Sequence, residues 1–366
     1  MTHSVFLTGF PGFLGSAVAA RLLTRNDPDV TITALVQPQY RKAAETRAAE
    51  LQGKTRTRQR RIRIVEGDIA RPGLDMEGAV YRILQADVRE IWHLAAVYDL
   101  SVGKELAERV NVQGTRNVLE LATSARGLSR FQYVSTCYVS GRYPGIFREG
   151  DLHHSGPFNN HYEETKHRAE VEVQAARDQG LPVTVYRPAI VVGDSRTGET
   201  QKYDGPYAII RWIMRWSRVA PLPLPGDPSR ARVNVVPRDF IVDAMDHLSG
   251  LQVSNGKVYQ LADPQPPTVE EMTRMLGVAT DRRLLRMRVP SRLALSAFRH
   301  VPGLASFTGI EPEAVPYFSH PTRYDTSETE RDLQGSGITC PPFQSYAERL
   351  VRFVRENPDL PRGGMT

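Results

Sequence analysis

The sequence predicts an α/β chain built on a doubly wound parallel sheet, with a smaller lobe supplied by its C-terminal part. Three observations predict this. Short β-branched runs alternate with longer stretches of helical periodicity through the first half. A glycine-rich turn joins the first run to the first helical stretch. After Arg187 the texture changes, with Pro188, Gly193, Gly198, Gly205 and Pro206 in close succession. Alternating strands and helices imply crossovers between parallel strands. Such a sheet binds ligands beyond the carboxyl ends of its strands, so the functional residues are expected there.

Taken in order, the opening MTHSVFLTGFPGFLG has no basic leader region, and its apolar run is cut by Gly9, Pro11 and Gly12. It therefore reads as a strand, residues 4–8, entering a turn rather than as a signal peptide. Further strands are expected at 31–36, 62–66, 90–94, 131–135 and 183–187, with helices at 13–23, 79–85, 107–124 and 162–179. Beyond 187 the proline-rich APLPLPGDP, residues 220–228, reads as irregular lobe-building sequence. Short elements return at 233–236, at a helix over 239–248, and at a strand over 257–261 that could extend the sheet. Thr268 is placed to cap a helix, with Glu271 as its capping-box partner. Residues 290–320 are apolar and proline-punctuated, and 345–356 reads as a closing helix.

Composition narrows the function classes. The 366 residues give ample core without disulfides or metals. The two cysteines, Cys137 and Cys340, form no zinc-ligand pattern, which points to a reducing compartment with the cytoplasm as default. No apolar run reaches the roughly 18 residues a membrane span needs; the greasiest stretch, 209–216, contains Arg211 and Arg215. The formal charge of +6 is modest, but residues 41–63 gather nine Lys/Arg against Glu45 and Glu50. This patch fits a solvated helix and loop or a site for phosphates of a cofactor or phosphorylated carrier. Nucleic acid is disfavoured, since no aromatic interleaving accompanies the charge.

The motifs carry the chemistry. In TGFPGFLG, Gly9, Gly12 and Gly15 sit between a strand and a helix beginning near Phe13. Such a turn lets backbone amides approach a pyrophosphate, and the helix N-terminus favours its charge. The second strand is followed by Val36-Gln37-Pro38, with no acid to bond ribose hydroxyls and with Arg41 and Lys42 close behind, which favours NADP over NAD. Asp68, in Gly67-Asp68-Ile69, could accept from an adenine amino group. Tyr162 and Lys166 lie four apart at the start of a helix, on one face. A lysine ammonium beside a tyrosine favours the phenolate, making the phenol a usable proton donor or acceptor. Upstream, YVSTCYVSG offers the Ser135 and Thr136 hydroxyls at the end of the fifth expected strand.

On these motifs, together with HLAA at 93–96, NVQGTRNVLELA at 111–122 and YRPAIVVG at 186–193, the sequence resembles the extended short-chain dehydrogenases/reductases. The resemblance covers roughly residues 1–265. It implies a Rossmann fold in which Tyr162 is the catalytic acid/base, Lys166 holds the nicotinamide ribose and tunes the tyrosine, and Thr136 is the catalytic hydroxyl. The cofactor-binding set it implies is Gly9, Gly12, Phe13, Leu14, Gly15, Gln37, Arg41, Asp68, Ile69, Ala95, Ala96, Asn111, Tyr162, Lys166, Pro188 and Ile190, with no metal. Asn111 takes a helix-bend or proton-relay role, while His93 is structural.

Within that family GFLG, NNHYEETKHRAE and RPAIVVGDSRTGE look most like the branch of fatty acyl-CoA reductases and terminal thioester reductase domains; the C-terminal part departs from it. The expected division is an NADP-binding Rossmann core at 1–187 and a mainly substrate-binding lobe at 188–366, with 233–265 returning to the core. The expected function is NADPH-dependent reduction of a carbonyl in a hydrophobic substrate: an acyl thioester, aldehyde or ketone. Its pocket would involve Tyr98, the loop after Gly141, residues 191–207 and the helix bearing Trp212 and Trp216, although these tryptophans equally suit the lobe core. One alternative is a nucleotide-sugar epimerase or dehydratase with bound NAD. Another is a non-catalytic NADP-sensing regulator binding partners through the basic stretch near Arg56. A homodimer is compatible with the resemblance.

Overall fold

The computed structural model describes residues 3–25, 30–54, 61–154 and 156–360. Its strands are β1 (His3–Thr8), β2 (Val30–Val36), β3 (Arg61–Glu66), β4 (Glu90–His93), β5 (Arg130–Val134), β6 (Gly145–Phe147), β7 (Val183–Pro188), β8 (Ile190–Val192), β9 (Val219–Pro225), β10 (Val235–Pro237), β11 (Val258–Leu261), β12 (Arg283–Val289) and β13 (Thr322–Tyr324). Seven of them form one parallel sheet in the order β11-β7-β5-β4-β1-β2-β3. The chain reverses its direction of winding between β1 and β4, the crevice in which doubly wound sheets bind ligands.

Helices cover both faces, which is why the strands read as nearly continuous apolar runs. On one face α1 (Phe13–Leu22), α2 (Arg41–Gly53) and α8 (Arg238–Gly250) pack on Val5, Leu7, Ile32, Ala34 and Tyr186. On the other, α3 (Gly78–Asp87), α5 (Gly114–Ser124) and α6 (His161–Asp178) pack on Phe6, Leu35, Ile91, Phe131 and Val185. Val5 and Leu7 point one way and Phe6 the other, as the two-residue period of a strand demands. Helix α5 is preceded by a four-residue helix α4 (Lys104–Ala107) and a π-helical turn over Glu108–Gln113, so the helix expected over 107–124 is interrupted near its start.

The lobe has its own core, formed by α7 (Pro206–Met214), α9 (Val269–Thr280), α13 (Ala347–Glu356) and strand β9. Between α9 and α13 lie the short helices α10 (Ser291–His300), α11 (Leu304–Thr308) and α12 (Ser327–Leu333). Thr268 caps α9 and Glu271 completes the capping box. The expectation of irregular chain over 220–228 is corrected: Val219–Pro225 is a strand, pairing with β12 in parallel. Its prolines fall only at 221, 223 and 225, leaving the N–H groups of Ala220, Leu222 and Leu224 free and turning those three side chains inward. Alternation lets proline live in a two-stranded edge pair. The element expected at 233–236 is β10, Val235–Pro237, which pairs with β8 rather than joining the main sheet, whereas β11 forms the sheet's edge beside β7. The basic residues at 55–60, including Arg56, lie outside the described residues.

Candidate active site

The glycine turn after β1 is built for close approach. Gly9 has φ of +89°, and a Cβ there would lie 2.9 Å from the Ala95 nitrogen; a Cβ on Gly15 would lie 2.3 Å from the Gly9 carbonyl oxygen. Any side chain at either position would close the turn. Gly12 begins α1 with no side-chain cap, and the first turn holds no acid. The first-turn amides, including those of Phe13, Leu14 and Gly15, therefore have no intrahelical acceptor and face outward with the positive end of the dipole behind them. This cradle fits a pyrophosphate. Phe13 packs its ring under the Arg238 guanidinium, 4.9 Å away.

Along the sheet edge, no carboxylate follows β2. Gln37 accepts from the Gln39 side chain at 3.1 Å. Arg41 is tied to Glu45 at 2.8 Å and Glu66 at 2.9 Å, with about half of its side chain exposed. Asp68 spends one oxygen on the amide of Ala70 at 2.9 Å, and the Ile69 carbonyl accepts from Asn117 at 2.6 Å. Past β4, Ala95 and Ala96 are half-buried, and the Ala95 amide donates to Thr8 at 3.2 Å. Pro188 ends β7, its carbonyl accepting from Thr136 just past β5, and Ile190 opens β8. Apart from Asn111 in the π turn, Tyr162 and Lys166 on α6 and Ile190 at the start of β8, the expected cofactor residues thus come from the ends of β1, β2, β3, β4 and β7.

At that edge Thr136 and Tyr162 meet. The Thr136 hydroxyl donates to the Pro188 carbonyl at 3.4 Å and accepts from the Tyr138 amide at 3.3 Å, and the Tyr162 phenol lies within its reach. Burial raises the phenol's pKa, the nearby Thr136 hydroxyl opposes the shift, and the charge of Glu163 reinforces it. Lys166 is one turn further along α6 but reaches toward the sheet, donating to the Tyr133 hydroxyl at 3.0 Å and the Val134 carbonyl at 2.8 Å. Burial lowers its pKa from 10.5 to about 7, with Glu170 pulling the other way. The expected ammonium–phenol contact is thus replaced by one with Tyr133, because the long lysine stem extends under β5.

His93 is fully enclosed between Thr8 at 2.8 Å and Thr115 at 3.0 Å; burial, then the Lys166 charge, lowers its pKa to about 3. It is neutral at any working pH and acts as a strut. Asn111 lies in the π turn, where its amide clamps the Val97 backbone on both sides and donates to Thr165 at 3.0 Å. A π turn re-aims side chains at functional sites.

The residues missed by the sequence reading sit on α6 itself. Glu163, Lys166, Glu170 and Val173 share its buried side. Charged residues recurring where an apolar stripe belongs were the available signal. Glu170 pairs with Arg187 at 2.6 Å, both completely buried, and accepts from Ser135 at 2.5 Å. Burial alone would raise its pKa, but the Arg187 charge and hydrogen bonds outweigh that and hold it below 4.5. Glu163 accepts from the Asn159 amide at 2.8 Å and from the Tyr317 hydroxyl at 2.5 Å. Burial outweighs these donors and raises its pKa. Tyr138, two residues from Thr136, packs its ring on Tyr317 and His320, 4.9 and 5.2 Å between centroids.

On the opposite flank Tyr98 lies within electrostatic reach of the Tyr162 phenol, and the Lys202 ammonium sits 3.8 Å from the centre of the Tyr98 ring while pairing with Asp204. Trp212 is buried in the lobe core with its indole N–H on the Pro221 carbonyl at 2.7 Å; Trp216, beyond the end of α7, is 36% exposed. Among the described residues no helix is long and apolar enough to cross a membrane.

Comparison with known proteins agrees with the fold. Residues 7–245 match the male sterility protein family. The isonitrile lipopeptide synthase of Streptomyces coeruleorubidus is 27% identical over 355 residues, 92% of this chain but 23% of that protein. The fatty acyl-CoA reductase wat of Drosophila melanogaster is 26% identical over 275 residues, 66% of this chain and 53% of its own length. The chain thus spans only part of these relatives. Among solved structures, the terminal R domain of the myxalamid PKS-NRPS pathway superimposes with a TM-score of 0.79 at 26% identity, covering 98% of this chain and 93% of that one. A UDP-glucuronic acid 4-epimerase from Bacillus cereus, in complex with NAD, shares the fold at a TM-score of 0.67 and 18% identity, covering 97% of each chain. The chain belongs to the male sterility protein family of extended short-chain dehydrogenases/reductases, and it is an NAD(P)-dependent oxidoreductase.

Proposed function

We propose that the protein is an NADPH-dependent reductase that transfers hydride to the carbonyl of a hydrophobic substrate, with an acyl thioester, an aldehyde or a ketone as the candidates. The observation that carries this reading is the placement of the Thr136 hydroxyl within reach of the Tyr162 phenol at the carboxyl end of β5, on the same sheet edge as the glycine turn. Gly9, Gly12, Phe13, Leu14 and Gly15 would hold the cofactor's pyrophosphate, Asp68 and Ile69 its adenine, and Pro188 and Ile190 the far side of its nicotinamide. Gln37 and Arg41 would flank the 2′-phosphate; the absence of an acid after β2 supports NADP there. When bound, the nicotinamide supplies the hydride.

The protein's own groups do the rest. Burial keeps Tyr162 protonated at neutral pH, so it can donate to the carbonyl oxygen as negative charge develops there. Thr136 steadies that oxygen by hydrogen bonding. The Lys166 ammonium, held by Tyr133 and the Val134 carbonyl, would hold the nicotinamide ribose. Asn111 fixes the π turn that braces the start of α6 through Thr165. In this reading residues 1–187 form the cofactor core and 188–366 mainly the substrate lobe.

The test is NADPH oxidation against a long-chain acyl-CoA, the matching aldehyde, a hydrophobic ketone and a nucleotide sugar. Turnover with any of the first three supports the reading and selects the substrate class. Silence throughout, with NAD retained on the purified protein, would overturn it in favour of an epimerase.

A further inference from the structure

The lobe contains a cavity of about 160 Å³ lined by Tyr203, Arg211, Trp212, Arg215, Thr308 and Gly309. Its neutral polar groups are already engaged. The Tyr203 phenol donates to the Asn357 carbonyl at 2.6 Å, the Trp212 indole to Pro221 at 2.7 Å, and the Thr308 hydroxyl to Leu304 at 2.8 Å. That leaves two guanidinium groups. Arg211 lies 5.5 Å from the centre of the Tyr203 ring; Arg215 lies 4.9 Å from that of Phe307 and donates to the Phe307 carbonyl. No carboxylate lines the cavity, and neither arginine takes part in an ion pair among the described residues.

Some other lobe arginines do have such partners: Arg286 has Glu270, and Arg230 has Asp227. Arg211 and Arg215 are four residues apart at the end of α7, a spacing at which like charges repel. The negative end of the helix dipole offsets part of this repulsion, but it does not explain why the two charges border an open cavity.

We propose that this cavity is an oxyanion site that receives a phosphate group of the substrate, gripped by both guanidinium groups. A phosphate carries enough charge to answer two cations and matches the guanidinium fork in geometry. A single carboxylate would leave one arginine unanswered. The chain leads from this cavity to the reaction centre. Tyr203 lines the cavity, while the preceding Lys202 sits on Tyr98, the neighbour of Tyr162. Gly309 lines it too, and two residues on, Glu311 lies in the field of Asp99, Asp204 and Lys202. The phosphate is thereby placed at the far end of a substrate whose carbonyl lies at Tyr162.

The cavity itself is tested without relying on the proposed reaction; only its assignment to the substrate rests on that reading. Inorganic phosphate is titrated by calorimetry into the NADPH-saturated protein, so that the glycine turn is filled, and into the Arg211→Gln/Arg215→Gln variant. Saturable binding, weakened about tenfold or more in the variant with NADPH affinity unchanged, is the expected result. Equal binding in both proteins, or no saturable binding, overturns the site. In a second arm, KM is compared for a long-chain acyl-CoA and for the same acyl group on phosphate-free N-acetylcysteamine. The variant is expected to raise KM for the CoA thioester alone. An equal rise for both, or no change for either, overturns the assignment to the substrate. If neither thioester is reduced, the assignment of the cavity to a thioester substrate fails, turnover of the aldehyde or ketone still decides the reductase reading, and the phosphate titration still decides the cavity.

Discussion

Helix α6 is tied down at two points by different chemistry. At its middle, Glu170 meets Arg187 from the central sheet, both fully buried, and the guanidinium holds the acid ionised. At its start, next to Tyr162, Glu163 meets Tyr317 from the lobe and, among the described residues, has no bonded cation; burial holds this acid toward its neutral form. One tether is an ion pair to the cofactor-binding half. The other is a neutral-leaning bond across 154 residues to the lobe. The signs of their pH dependence are therefore opposite. Glu170, with its pKa below 4.5, contributes stability above that value and loses it as the medium becomes more acid. Glu163, with its pKa above 4.5, contributes fully below that value and loses it as pH rises from there. Tyr162 sits at the end tied to the lobe.

The comparison can be broken from the sheet side first. Arg187→Met leaves Glu170 buried without its cation and is expected to cost about 3–5 kcal/mol, read as a lowered denaturant midpoint. A loss within experimental error would mean that Glu170 finds another partner and that the sheet tether is not the stronger one. On the catalytic face, Lys166 loses its proton as pH rises through about 7, so kcat/KM is expected to fall above that point. A profile flat from pH 6 to 9 would show that the ammonium is not required.

From the lobe side, Tyr317→Phe removes one donor to Glu163, an expected loss of about 1–2 kcal/mol. Because the bond adjoins Tyr162, kcat is expected to fall while NADPH affinity holds. A purely structural tether would lower stability and leave kcat unchanged. The smallest effect is expected at the exposed edge. Arg41→Glu should weaken NADPH binding several-fold and NADH binding little, since a charge so exposed is screened. Equal loss for both nucleotides would separate Arg41 from the 2′-phosphate.

Much of the sheet half was legible because its signals are local. The glycines of TGFPGFLG, the β-branched runs and the Tyr162–Lys166 spacing all act within a few residues. The expected strand at 31–36 and helix at 13–23 match β2 and α1 to within a residue. What stayed hidden depends on distant partners. Nothing near Glu163 in the sequence announces Tyr317, and nothing near Glu149 announces Thr329, which donates to it at 2.5 Å. Helical spacing puts Lys166 on the correct helix face, but its bond to Tyr133 depends on how far the stem reaches beneath β5. The strand at Val219–Pro225 was concealed by its own prolines, because alternate spacing matters more there than proline content.

The central claim is that Tyr162 delivers the proton in a reduction by NADPH. The direct test is to measure NADPH consumption with the best substrate, alongside NADPH affinity, in the native protein and in Tyr162→Phe. The account predicts that turnover falls by about 10²–10⁴-fold with cofactor affinity unchanged. Turnover retained at the native rate would contradict it and move the proton donor to another group.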